Sequence, residues 1–305
     1  MGSQPGASLT LAHQRDVEFA LSALPRGQPE QTLSDTTFSN LYLFRRVHDY
    51  RYLPGLLPCI SGRSYDGVAH LLPLFDLAKA PLAELRILLR HFSDESHFFF
   101  PLSSEQVQDL NPEIFEWTAS RDDADYVYPA EQFWGYRGSV LHKKRNLVSQ
   151  LMASHAVTAQ PYEEVFFEDA RSVLKHWMTA KGKASGEADE LACLEALEQA
   201  QTLGLQGFLY RVDGEVAGFV LAQTLASGVW VMRFAKGLDH IKGLYQHMFQ
   251  HFCQARPEVQ WLNFEQDMGI ANLRKTKLSY QPVLLLPKYR VRLRVSHFAQ
   301  DAALA

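Results

Sequence analysis

GFLYRVDGEVAGFVLAQTLASGVWVMRF, residues 207–234, decides the fold. Gly207–Val212 and Glu215–Thr224 are rich in β-branched and aromatic residues, the composition that suits a pleated, half-buried surface. Asp213-Gly214 joins them, and that pair readily supplies the positive φ angles of a two-residue hairpin. A turn at Ala226-Ser227-Gly228 leads into a third strand, Gly228–Phe234. The period then changes from two to about 3.6: Leu244, His247, Met248 and Phe252 share one side of a helix predicted over His240–Gln254. Val259–Gln266 reads as a strand, Asn272–Leu278 as a short helix and Gln281–Leu293 as a closing strand. Upstream lie a helix at Val140–His155, a strand at Val157–Tyr162 and helices at Glu164–Ala180 and Glu187–Leu203.

The first half carries a thinner version of the same plan. Ser34 or Asp35 is placed to cap a helix through Phe38, Leu41, Tyr42 and Phe44. Strands follow at Leu57–Ser61 and Gly67–Phe75, a helix begins at Pro81, and His97–Pro101 is a strand. Ser103 to Gln106 forms a capping box, and Asp125–Tyr128 is a further strand. The expected class is α/β around mixed sheets. The element order of the second half resembles a GNAT (acyl-CoA N-acyltransferase-like) domain, so the expected architecture is a tandem of GNAT-like domains. The expected divisions are a flexible leader at 1–34, one domain at 35–139 and a second at 140–305.

Composition narrows the function. The chain has 305 residues, 47% of them hydrophobic, and a formal net charge of −4. A protein gripping nucleic acid by its overall field would be basic, so any RNA contact has to come from a local patch. Cys59, Cys193 and Cys253 are too scattered for a zinc knuckle or a disulfide framework. No apolar run approaches the ~20 residues of a membrane span, and the start lacks the pattern of a secretory signal. A cytoplasmic protein is expected. P-loop, H-E-x-x-H and G-x-S-x-G motifs are absent from the sequence, which argues against those nucleotide-binding, metalloprotease and serine-hydrolase chemistries. No resident metal or cofactor is expected.

Four clusters carry chemistry. His142-Lys143-Lys144-Arg145-Asn146 opens a helix, and its cations suit an anion such as phosphate, the plainer alternative being a solvated helix end. Asn263, Glu265 and Asp267 alternate along a predicted strand, hence on one face, near the end where α/β sheets bind ligands. Glu265 is the candidate base or amine-binding carboxylate, with Asn263 and Asp267 in support. Arg274, Lys275 and Lys277 follow on a short helix, Arg274 and Lys277 sharing a face. Tyr280 ends that helix as a candidate acid to a leaving group. Lys236 to Tyr245 joins a strand to a helix, the place where acyl-CoA-binding GNAT proteins cradle a pyrophosphate. Here Gly243 alone stands in the second part of that loop, followed by Leu244 and the bulky Tyr245.

Taken together, Phe38 to Phe44, Tyr126-Val127-Tyr128, His142 to Asn146, Arg211 to Gly214, Asn263 to Tyr280 and Leu286-Pro287-Lys288-Tyr289 resemble the bacterial family named for the C-terminal domain of phosphatidylglycerol lysyltransferase. The resemblance covers roughly residues 35–292. It implies a tandem GNAT fold and direct transfer of an acyl or aminoacyl group from a phosphate-bearing donor, aminoacyl-tRNA or acyl-CoA, to a small amine or hydroxyl acceptor. Partners implied are the acceptor end of a tRNA and a transient membrane contact. Several members carry a His and a Glu on the strand matching Met232–Lys236, where this chain has Arg233 and Ala235. That departure keeps a second reading open, a catalytically inactive ligand-binding protein. The candidate donor-binding set therefore includes Arg233, Lys236, Gly243 and Tyr245 with the cations above.

Overall fold

A computed structural model describes residues 6–92 and 97–294. In chain order its elements are β1 (Ala7–Ser8), α1 (Gln14–Ser22), α2 (Phe38–Leu43), α3 (Arg45–His48), β2 (Arg51–Leu53), β3 (Cys59–Arg63), β4 (Ala69–Pro73), α4 (Leu82–Arg90), β5 (Phe98–Leu102), α5 (Ser104–Gln108), β6 (Phe115–Ala119) and β7 (Asp125–Pro129). They continue with α6 (His142–Ser154), β8 (Val157–Pro161), α7 (Phe167–Ala180), α8 (Glu190–Glu198), β9 (Gln206–Val212), β10 (Glu215–Ala226), β11 (Val229–Gly237), α9 (Leu244–Ala255), β12 (Trp261–Asn263), α10 (Ala271–Leu278), β13 (Leu284–Leu286) and β14 (Tyr289–Leu293).

Two seven-stranded mixed sheets result, ordered β1-β2-β3-β4-β5-β14-β6 and β13-β7-β12-β11-β10-β9-β8. The same plan underlies both. In the first, β2, β3 and β4 form an antiparallel run, a helix crosses over, and β5 lies parallel to β4. In the second, β9, β10 and β11 repeat that run and β12 lies parallel to β11. The next strand in each sheet is antiparallel and distant in sequence: β14 beside β5, and β7 beside β12. The predicted α/β, tandem GNAT-like class is what the topology has, the first sheet following the strand plan of the second.

The compact units differ from the divisions expected at 34 and 139. One contains the described residues up to Asp125, then Gln266–Ala271 and the described residues from Leu285 onward; the other contains Tyr126–Glu265 and Asn272–Leu284. The exchange of β7 and β14 explains this, because a strand belongs with the sheet that satisfies its backbone donors and acceptors. The closing strand predicted over Gln281–Leu293 is accordingly broken between β13 and β14, around Pro287, a residue that cannot donate to a ladder. Residues 1–5 lie outside the described residues, but the rest of the expected leader is packed. Leu9, Val17, Leu21 and Leu33 are buried, and β1 pairs with β2.

Local sequence accounts for most boundaries. Ser103 Oγ accepts a hydrogen bond from the Gln106 backbone N–H while Gln106 Oε1 accepts one from Ser103 N–H, the predicted capping box. The cap of α2 is Thr37, whose Oγ1 accepts from Asn40 N–H. Ser34, one of the two expected caps, instead donates to the buried Asp125 carboxylate. Lys288 explains the substitution: it is completely buried, with Nζ 2.7 Å from Asp125 and also paired with Asp35. A buried cation survives only with such partners. The core of the second unit gathers Tyr126, Tyr128, Phe133 and Tyr136 with Val148, Met248 and Phe252 from α6 and α9. The first unit closes over Cys59, Leu71, Leu85, Phe99 and Val291.

Candidate functional site

The parallel pair β11–β12 is in register only from Val229–Val231 against Trp261–Asn263. Beyond that point β11 runs on to Gly237, while the other chain turns away at Glu265, a non-glycine residue with φ +57°. The two strands therefore part. A conformation of this kind costs of order 1 kcal/mol or more and persists where its surroundings impose it. Here Asn263, fully buried, accepts Glu265 N–H on Oδ1 at 2.7 Å, and the Glu265 carbonyl accepts from Tyr126 N–H.

β11 carries a second irregularity on its other edge. Leu221 pairs with Phe234 but Ala222 pairs with Met232, so Arg233 is the extra residue of a β-bulge. A bulge re-aims a side chain and is common beside functional sites. Arg233 is buried and its Nη1 lies 2.5 Å from Glu265 Oε1, while Nη2 approaches Gln223 Oε1 at 3.5 Å. The Glu265 carboxylate keeps partial access to solvent, its side chain being 24% exposed. Lys277 Nζ donates to the Glu265 carbonyl at 3.1 Å, and the Lys277 carbonyl accepts from Tyr128 Oη at 2.8 Å.

The cationic helix start divides by face. Lys144, Val148 and Leu151 fall at i, i+4 and i+7 on α6, so Lys144 is drawn toward the buried side. Its Nζ lies 2.9 Å from Ser279 Oγ and 3.4 Å from the Tyr280 ring centroid. Burial pulls its ammonium down to about 8, because a low-dielectric site disfavours the charged form. Lys143, Arg145, His142 and Asn146 are exposed; Arg145 donates to the Tyr136 carbonyl and His142 contacts the Ser139 carbonyl. On α10, Lys275 is exposed and Arg274 half-buried.

Several expectations are corrected. Tyr280 is 3% exposed, stacked on Phe133 and surrounded by Phe249 and Phe264, with Gln246 Nε2 donating to its hydroxyl. Burial raises its phenol well above the ordinary value, so it is a core residue and the platform for Lys144 rather than an accessible acid. Asp267 does not share a strand face with Asn263 and Glu265, because β12 ends at Asn263 and the backbone reverses at Glu265. Asp267 is buried in the first unit, where it accepts Gly269 N–H and lies 3.6 Å from Arg121. Lys236 is engaged elsewhere, with Nζ held by both Asp189 oxygens and 3.7 Å above Trp177. Tyr245 Oη is engaged by Gly237 N–H and C=O.

Gly243 has a packing reason. Its φ is +89°, and a Cβ there would sit 2.4 Å from the Leu147 carbonyl oxygen. The backbone of α6 therefore lies against the start of α9. A cavity of about 520 Å³ lies beside the C-terminal half of α6 and the loop leading into α9, lined by Leu151, His155, Asp213, Val216, Leu238 and Ile241 among others. None of the predicted site residues lines it. Gln223 beside Arg233, Gln246 on the Tyr280 hydroxyl and Ser279 on Lys144 are not picked out from the sequence, since lone polar side chains carry no spacing signal.

Comparison with known proteins agrees with this architecture. A conserved protein of unknown function from Bacteroides thetaiotaomicron is 23% identical and superposes with a TM-score of 0.77, over 96% of this chain and all of that one. The structure of L-PGS from Bacillus licheniformis, 12% identical, superposes at 0.65 over 99% of this chain and 97% of that one. An uncharacterized protein of Mycoplasmoides gallisepticum is 24% identical over 207 residues, 63% of this chain; the match spans 66% of that relative, just under two thirds of its length. The family described as phosphatidylglycerol lysyltransferase, C-terminal, matches residues 26–292. With a match of that extent over this fold, the chain belongs to the phosphatidylglycerol lysyltransferase C-terminal family.

Proposed function

We propose that the unit formed by Tyr126–Glu265 and Asn272–Leu284 is an aminoacyltransferase that moves an aminoacyl group from a phosphate-bearing donor to an amine or hydroxyl acceptor. The observation that carries this reading is the bulged, buried Arg233 fixed on Glu265 where β11 and β12 part, with Lys277 on the Glu265 carbonyl. An adjacent guanidinium favours the ionised carboxylate and makes it a poor proton acceptor. Glu265 is therefore assigned to orienting an ammonium or hydroxyl group through its solvent-reachable side. Lys144, Arg274 and Lys277 supply cations for donor phosphates.

In the reaction the acceptor nitrogen or oxygen attacks the donor's ester carbonyl. A tetrahedral intermediate forms, the ester C–O bond breaks, and the acceptor's proton ends on the departing oxygen. No enzyme-bound intermediate is required. Aminoacyl-tRNA is taken as the donor ahead of acyl-CoA, because α6 packs closely on the start of α9 at Gly243, which narrows the helix N-terminus a pyrophosphate would use.

A panel of labelled aminoacyl-tRNAs, with acyl-CoA esters in parallel, tests this against amine, hydroxyl and phospholipid acceptors. Label should pass from an aminoacyl-tRNA to an acceptor, and the Arg233→Met, Glu265→Gln pair of substitutions should lower turnover more than tenfold while donor affinity changes less than threefold. The filling of the strand opening by Arg233 favours one rival, a ligand-binding protein without turnover. Donor binding with no transfer across the panel would establish that rival, and transfer from acyl-CoA alone would overturn the donor assignment.

A further inference from the structure

Lys236 is the penultimate residue of β11, and its side chain is only 6% exposed. Both carboxylate oxygens of Asp189 hold its Nζ, at 2.7 and 2.8 Å, and the Trp177 ring lies 3.7 Å beneath it. A buried ion pair stabilises a fold little more than an apolar pair of the same size. Packing alone therefore gives no reason for a lysine here. Asp189 is unusual in its turn. It is the N-cap of α8, where an aspartate ordinarily accepts a hydrogen bond from the first helical turn. Its side chain makes no such bond, because the carboxylate is spent on Lys236. The residue before it, Ala188, is held at φ +53°, a left-handed conformation strained for a residue with a Cβ and common at ligand clamps.

Asp189 ends the loop between α7 and α8. Residues 181–188 are all exposed. A second ion pair ties this loop to the end of β11, Lys181 Nζ lying 2.6 Å from Asp239. A segment that buries no apolar side chain opens at low cost, and opening relieves Ala188. Lys236 would then present its ammonium beside the face of Trp177, in a seat already shaped to a carboxylate. Arg233 and Lys236 share the side of β11 that α8 covers. Lys236 meets Asp189 at the start of that helix, and Arg233 approaches Gln223, whose Nε2 donates to the Leu203 carbonyl just beyond its end. Three strand residues, about 10 Å, separate the two cations.

We propose that Lys236 and Trp177 form a receptor for a carboxylate carried by the acceptor, and that Asp189 is a loop-borne stand-in filling it while the acceptor is absent. The acceptor is then a small molecule with an amine or hydroxyl at one end, which meets Glu265, and a carboxylate about 10 Å away. Which end reacts rests on the transferase reading. Capture of the carboxylate does not, and is measured without any donor.

Isothermal titration of the full chain with 8-aminooctanoate, an extended chain of about that length, tests this against uncharged 8-aminooctanamide. The acid should bind roughly tenfold more tightly than the amide, through the charge-assisted contact with Lys236. Asp189→Asn removes the internal competitor. It should tighten binding of the acid about tenfold, as expected if the stand-in fills the receptor about nine-tenths of the time. Trypsin should then cut faster after Lys181 and Lys183. Lys236→Met, whose apolar side chain suits a buried position, should abolish the preference for the acid, with melting curves showing that it folds. Equal binding of acid and amide would overturn the proposal. So would unchanged or weaker binding of the acid in a folded Asp189→Asn chain, which would make the pair a structural tie. Competition by inorganic phosphate as strong as that by acetate would overturn the carboxylate assignment. Carboxylate capture with no transfer from any donor would refute the transferase reading and leave the receptor standing; transfer to a plain amine by a chain indifferent to carboxylates would do the reverse.

Discussion

Removing the Glu265 carboxylate should destabilise the second unit through the charge it leaves behind. The Arg233 side chain is fully buried and Glu265 about three-quarters buried, joined at 2.5 Å. Breaking a buried pair by deleting one partner costs about 3–5 kcal/mol, because the remaining ion has lost its solvent and its counter-charge. Gln223 Oε1 offers Arg233 partial compensation at 3.5 Å, and water can reach the Glu265 side. Glu265→Gln should therefore cost about 2–3 kcal/mol, somewhat below that range after screening. Arg233→Met leaves a less buried carboxylate and should cost less. The two together remove both charges and should recover most of the loss, giving a coupling energy of about 1.5–3 kcal/mol in a double-mutant cycle. Urea denaturation followed by tryptophan fluorescence measures all four proteins. Additive effects, with a coupling below about 0.5 kcal/mol, would refute the claim that the two charges hold one another at the strand opening.

Gly243→Ala should lose about 2 kcal/mol or more and shift α6, since φ is +89° and the new Cβ would meet the Leu147 carbonyl at 2.4 Å; thermal melts at equal concentration check this, and an unchanged Tm would show that α6 does not pack there. His70 is buried against Tyr50, Phe98 and Phe100, and burial depresses its imidazole to about 3. Its folded value lies below the unfolded value near 6.5, so stability is full above that pH and falls as pH drops; between 6.5 and 5 the loss is about 2 kcal/mol. His70→Phe should flatten that part of the pH–stability curve, and an equally steep curve in the variant would assign the acid sensitivity elsewhere. Lys144 should titrate near pH 8, read as the pH dependence of amine-selective labelling followed by mass spectrometry; a midpoint above 10 would show that Nζ is solvated rather than seated on Tyr280. Any step that needs its ammonium form should weaken as pH rises through about 8.

Periodicity exposed the strands and helices of the second half because each is a local, repeating commitment of side chains to one face. The Asp213-Gly214 hairpin and the Ser103–Gln106 capping box form where expected, since both depend on residues within a few positions of one another. The site was only partly legible. Glu265 and Lys277 do meet, and Lys144 does reach the end of α10, but the alternation that seemed to align Asp267 with Glu265 fails. One left-handed residue, Glu265 at φ +57°, ends the period of two, and its conformation is imposed by Asn263 and Tyr126 rather than by its own side chain.

What the sequence determined by itself was the class of fold, the family and the concentration of cations in residues 143–145 and 274–277, all properties of composition and short spacing. Tertiary structure alone decided which lysines face inward, that Arg233 bulges onto Glu265, and that β7 and β14 complete sheets remote from their neighbours in the chain. Those outcomes depend on contacts between residues tens to hundreds of positions apart, and no local pattern records which distant partner will satisfy a buried charge or an unpaired strand edge.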